Sequence, residues 1–176
     1  MSILRWLGLQ GSGDAAPDVD GLAEIERALA GLDPARARFI ACFAYILGRV
    51  ARADHQITDD ESREMERIVG KLGGLPEAQR AIVVQIARAH GLRFGGTEDF
   101  IVTREFDRLA GRDEKLALLE CLFAVSAVDR SIRTLEDNEI RKIARELKLE
   151  HSDFIAARSA FLSHLEVLRR SGSSDE

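Results

Sequence analysis

A pattern of acidic and apolar residues occurs twice in this chain, 75 residues apart. Residues 50–72 laid without gaps over 125–147 place Asp54 on Asp129, Ile57 on Ile132, Glu61 on Glu136, Glu64 on Glu139, Ile68 on Ile143 and Leu72 on Leu147. The shared signature is D-x-x-I-x-x-x-E-x-x-E, followed by apolar positions at helical spacing. Apolar matches arise readily by chance; two aspartates and four glutamates in one register do not. The flanks agree in order as well. An apolar helical stretch precedes each copy and another helix follows it, from Pro76 in the first and Ser152 in the second. The order implies a duplicated three-helix unit, about 34–91 and 113–168, with a helix over 97–110 inserted between the copies. One unit alone would leave an apolar face open, so the two must pack on each other.

The punctuation along the rest of the chain predicts helices throughout. "GLAEIERALAGL" is a short amphipathic helix, and Asp33 then caps a second one with Pro34 at its first position, where a missing N–H costs nothing. That helix, "ARFIACFAYILGRVARA", is apolar on most sides and therefore central. Thr58 with Glu61 forms a capping box for the next, which Gly73 and Gly74 close. Pro76 opens a helix that stops at Gly91, Thr97 opens another, and "DEKLALLECLFAVSAV" and "LEDNEIRKIAREL" are two more. Ser152 is the expected cap of the last, "DFIAARSAFLSHLEVLRR". The expected fold is all-α, with seven or eight helices. Residues 1–18 read as an apolar peptide plus a flexible glycine-serine linker, 19–170 as the helical domain, and 171–176 as a disordered tail.

A net charge of −5 argues against nucleic-acid binding through a general basic field. Cys42 and Cys121 lie in apolar runs without a CxxC partner, which suits reduced core thiols in a reducing compartment. No apolar stretch approaches the ~20 residues of a membrane span, and the first residues lack a convincing signal-cleavage site, so the cytoplasm is the expected location. In "MSILRWLGLQ", Ile3, Leu4, Trp6, Leu7 and Leu9 would form an apolar surface on a helix. Packing on its own domain or docking into a partner is expected ahead of contact with the inner membrane, because one arginine and ten residues offer a membrane little.

The two stretches "ARADHQITDDESREMERIV" and "VSAVDRSIRTLEDNEIRKIA" resemble the tellurite-resistance TerB family, related to the N-terminal domain of the DjlA co-chaperones. The closing stretch through "ARELKLEHSDFIAARSAF" is similar to the C-terminal half of small stand-alone TerB-like proteins, and the likeness covers roughly residues 34–165. The resemblance implies a compact all-helical fold of two pseudo-repeats. It also implies a part in metal-ion or envelope-stress responses, as a non-enzymatic module that binds a protein partner. This chain carries His55 and Arg130 where the family usually has glycine after the repeat aspartate, and it has no J-domain His-Pro-Asp triplet.

The acidic loops have two readings. Asp54, Glu61 and Glu64 in the first copy, and Asp129, Glu136 and Glu139 in the second, could hold a calcium or magnesium ion with backbone carbonyls completing the oxygen shell. Neither loop is an EF-hand, because counting back from Glu61 as the twelfth position puts Val50 first and Arg52 third, and the second copy has Val125 and Ala127 there. Helix caps and turns explain the same acids without an ion, and Arg52 and Arg130 would partly neutralise the loops. The four histidines lack zinc spacing, and no phosphate-binding glycine motif or nucleophile triad is recognisable. An enzyme acting through the paired loops is the alternative to a binding module. Arg80, Arg88, Arg93, Arg104, Arg108 and Arg112 concentrate positive charge mid-chain, as a solvated face or an anion-binding patch.

Overall fold

The computed structural model describes residues 19–51, 57–89, 97–128 and 132–162. Among them are eight helices: α1 (Val19–Ala30), α2 (Pro34–Ala51), α3 (Asp59–Lys71), α4 (Glu77–Ala89), α5 (Thr97–Leu109), α6 (Arg112–Ser126), α7 (Thr134–Glu146) and α8 (His151–Ser159). No strand occurs among the described residues beyond a single bridge position at Ile132. The N-terminal peptide, the C-terminal tail and the loops carrying Asp54 and Asp129 lie outside the described residues.

α2 is the axis of the domain. Asp33 Oδ2 accepts from the Ala35 and Arg36 N–H groups at 3.0 and 3.2 Å, starting the helix at Pro34. From Phe39 to Leu47 every residue of α2 is buried, which is why that stretch has no charged position. Five helices surround it: α1, α4, α5, α6 and α7. α6 is the second axis, buried through Leu118, Leu119, Cys121, Leu122 and Phe123, and it packs against α2, α3, α7 and α8. α3 lies on α4 and α6, and α7 lies on both α6 and α2. Two aromatic groups mark the packing. Phe106 of α5 sits 5.1 Å from Phe39 and 6.1 Å from Phe43 of α2, and Phe123 of α6 sits 5.6 Å from Phe154 of α8.

α3 and α7 start and stop 75 residues apart, with Leu72 and Leu147 as matching C-caps. They close differently. After α3, Gly73 passes so near the core that a Cβ there would meet the Val69 carbonyl oxygen at 2.6 Å, and Gly74 then turns at φ +64°. After α7 the left-handed residue is Lys148, at φ 57°, a conformation costing a non-glycine residue ~1–2 kcal/mol. Its side chain gives that position a use, since Lys148 Nζ ion-pairs with Asp107 at the end of α5.

One helix start differs from the sequence-based expectation. Ser152 lies inside the first turn of α8 and does not cap it; the N-cap is Glu150, whose N–H donates to Asp153 Oδ2 at 3.0 Å. An acid at the third helical position takes the cap N–H and also meets the positive end of the helix dipole, which a serine already inside the turn cannot do.

Candidate functional site

The acids singled out by the repeat are all engaged where they are described. Thr58 N–H donates to Glu61 Oε2 at 2.6 Å while Glu61 N–H donates to Thr58 Oγ1 at 3.2 Å, a complete capping box. In the second copy Arg133 N–H donates to Glu136 Oε2 at 2.8 Å. Two acids outside the repeat pattern do the same work: Glu114 Oε2 accepts from Gly111 N–H at 2.9 Å, and Asp153 accepts from Glu150. Capping therefore accounts for the glutamate that opens each acidic helix. Glu64 is held below the usual carboxylate range by the hydrogen bond from Arg67 on the next turn. Glu139, its counterpart, turns inward to Arg49. The repeat thus places its four described glutamates in two caps, one ion pair within α3 and one ion pair with the buried Arg49 of α2. Asp54 and Asp129 lie outside the described residues, and among the described residues no group of three or more His, Cys, Asp or Glu side chains is arranged to hold a metal ion.

The strongest concentration of charge is one that sequence reasoning passed over. Arg49, in the last turn of α2, has a side chain only 4% exposed and faces three carboxylates from two other helices. Its Nε is 3.6 Å from Asp99 Oδ1 of α5, its Nη1 is 3.3 Å from Glu146 Oε2 of α7, and its Nη2 hydrogen-bonds Glu139 Oε1. Nη1 also donates to Thr103 Oγ1 at 2.7 Å, and the Tyr45 hydroxyl lies 3.0 Å from Asp99 Oδ1. Burial works against the charge of Arg49, and Asp99, Glu139 and Glu146 more than offset it, holding the guanidinium above its ordinary range. A lone arginine in the otherwise apolar "FIACFAYILGRVA" was the available signal, because a buried guanidinium must find acids.

Two more buried acids tie helices together. Asp107 receives Lys115 Nζ at 2.7 Å and Lys148 from beyond α7. Burial raises its pKa, but the two lysine hydrogen bonds and charges outweigh that and leave it below the ordinary aspartate value. The stability it contributes is present above the unfolded aspartate range and is lost as pH falls through the lowered value. Asp137 of α7 receives Arg158 Nε of α8 at 2.8 Å and Arg141 Nη2 at 3.4 Å.

The mid-chain arginines do not form one anion patch. Arg80 Nε donates to the Leu75 carbonyl at 2.7 Å, Arg88 pairs with Asp59 at 2.9 Å, and Arg112 pairs with Asp153 at 2.7 Å. Arg104 and Arg108 remain together on the outside of α5, and Arg93 lies outside the described residues. Both cysteines are free and buried, with burial pushing each thiol up to about 12, far from nucleophilic use near neutrality. No helix among the described residues is long and apolar enough to cross a membrane.

A family model described as "Tellurite resistance protein TerB" matches residues 40–159, which run from the first buried half of α2 to the end of α8. No curated protein and no solved structure shows significant similarity to the chain.

Proposed function

Because the chain belongs to the tellurite resistance protein TerB family, we propose that it acts by binding: a non-enzymatic, cytoplasmic helical module that engages a protein partner in a tellurite, metal or envelope stress response. One contrast carries this. The described glutamates of the acidic pattern are engaged in two helix caps and two ion pairs, whereas large apolar side chains stand outside, Leu135 74% exposed, Phe100 51% and Ile101 48%. Acids so committed stiffen the body, and a rigid body with apolar side chains on its surface suits docking. Photo-crosslinking residues placed singly at Phe100, Leu135 and Ile155 in cells should capture protein at one or more sites, and a control at the exposed Glu66 should not. Equal yields at Glu66 and the apolar positions would remove the proposal.

Cation binding by the acidic loops is the second proposal, supported by the repetition of the acid pattern. Calcium or magnesium at about 100 times Kd should add ~2.7 kcal/mol, a rise in melting temperature of roughly 5–10 °C for a chain this long. Replacing Glu61 and Glu136 together by glutamine keeps an oxygen that can accept the cap N–H but removes ligand charge. The variant should lose the metal-induced rise and keep its metal-free melting temperature. A flat melting temperature across calcium, magnesium and EDTA would leave these acids as caps alone.

A further inference from the structure

The inserted helix α5 has two faces of opposite character. Inward, Val102, Thr103 and Phe106 are buried, and Asp99 and Asp107 anchor the two ends through Arg49 and the lysine pair. Outward, Phe100 and Ile101 are half exposed one turn before Arg104, and Arg108 follows on the next turn. Arg104 is exposed and has no acid partner among the described residues. Arg108 and Arg38 of α2 share a single acid, Glu105, at 3.0 and 3.8 Å. The described side chains of this face therefore carry three guanidinium groups against one carboxylate, beside two large apolar groups, on a chain whose net charge is −5.

We propose that the outer face of α5, built on Phe100, Ile101, Arg104 and Arg108, is a docking surface for an acidic amphipathic helix of a partner protein. The inference rests on the protein-binding reading above and names the site and the chemistry of its partner. Aromatic and arginine side chains together are what binding surfaces favour. Planar guanidinium groups pair with carboxylates in a fixed bidentate geometry, which discriminates between partners. The anchored inner face means that the surface is ordered before binding, so little ordering cost falls on the complex. Two half-exposed apolar side chains are little area for insertion into a lipid surface, whereas they suffice as anchors between the ridges of a facing helix. The chain's own N-terminal peptide fits less well by charge, because its first ten residues hold an arginine and no acid.

The test uses the full chain and a fluorescent synthetic helix with a leucine stripe flanked by glutamates. Saturable binding is expected, weakened at least tenfold by Arg104→Glu and likewise by Phe100→Ser with Ile101→Ser. The same helix with lysine in place of glutamate, and vesicles of phosphatidylglycerol, should not bind. The substituted side chains are exposed, so circular dichroism and the melting temperature should match the parent chain and exclude misfolding. No saturable binding up to millimolar peptide, or binding unchanged in both variants, would overturn the proposal. Vesicle binding lost in the variants, or a dimer that the variants break, would assign the face to lipid or to a second copy instead. Tenfold tighter peptide binding after deletion of residues 1–18 would show that the chain's own N-terminus occupies it. Crosslinking from Leu135 or Ile155 with none from Phe100 would leave protein binding standing and remove this site.

Discussion

Replacing Arg49 by methionine should lower the melting temperature by roughly 6–20 °C, the effect of losing ~3–5 kcal/mol from a broken buried ion pair in a chain of this length. The side chain is 4% exposed, so water cannot stand in for the guanidinium. Methionine fills much of the volume but leaves Asp99, Glu139 and Glu146 converging on one site with no buried cation between them, and Lys142, half exposed and 4.0 Å from Glu146, is too peripheral to substitute. Lysine at the same position should recover only part of the loss. A single ammonium cannot meet Glu139, Glu146 and Thr103 at once as the forked guanidinium does. Thermal unfolding followed by circular dichroism decides this. A melting temperature within about 2 °C of the parent for Arg49→Met would mean that the three acids are solvated well enough to need no partner.

The parts of this fold that could be read in advance are those set by neighbours in sequence. Asp33 with Pro34, Thr58 with Glu61, and Gly73 with Gly74 each act within one helical turn, and the helix ends fall where these residues place them. At Ser152 the same short range misleads, because a serine and an acid compete for one cap, and Asp153 sits at the position from which it reaches back to Glu150. The longer-range chemistry was not legible. Asp107 and Lys148 are 41 residues apart, and nothing in either neighbourhood announces that they meet. Glu139 illustrates the limit for the candidate site. Its match to Glu64 predicts a shared role, yet Glu64 pairs with Arg67 on the surface while Glu139 turns to Arg49, because α7 packs on α2 whereas α3 packs on α4 and α6. Arg49 itself was visible as an anomaly in an apolar run, but only packing reveals which three acids answer it. The likeness of α3 and α7 in length and capping concerns one helix of each proposed copy. Superposition of residues 34–72 on 113–147, with Asp54 over Asp129, is the wider expectation of duplication.

The helix between the copies supplies the sharpest contrast in expected stability. Phe100 and Phe106 both lie in α5, and sequence alone offers no reason to rank them. Phe106 is fully buried, with its ring against Phe39 and Phe43, so it joins α5 to the central helix. Phe106→Ala should cost ~3–5 kcal/mol, the lost transfer energy plus the cavity that close-packed neighbours on α2 cannot fill. Phe100 is 51% exposed, and Phe100→Ala should change stability by no more than about 0.5 kcal/mol. Urea unfolding of the two variants beside the parent separates them: the midpoint should fall steeply for Phe106→Ala and barely move for Phe100→Ala, with similar slopes in all three. A large loss from Phe100→Ala would place that ring in the core and remove it from the docking face. A small loss from Phe106→Ala would mean that α5 is held by the Asp99 and Asp107 ion pairs rather than by its aromatic anchor.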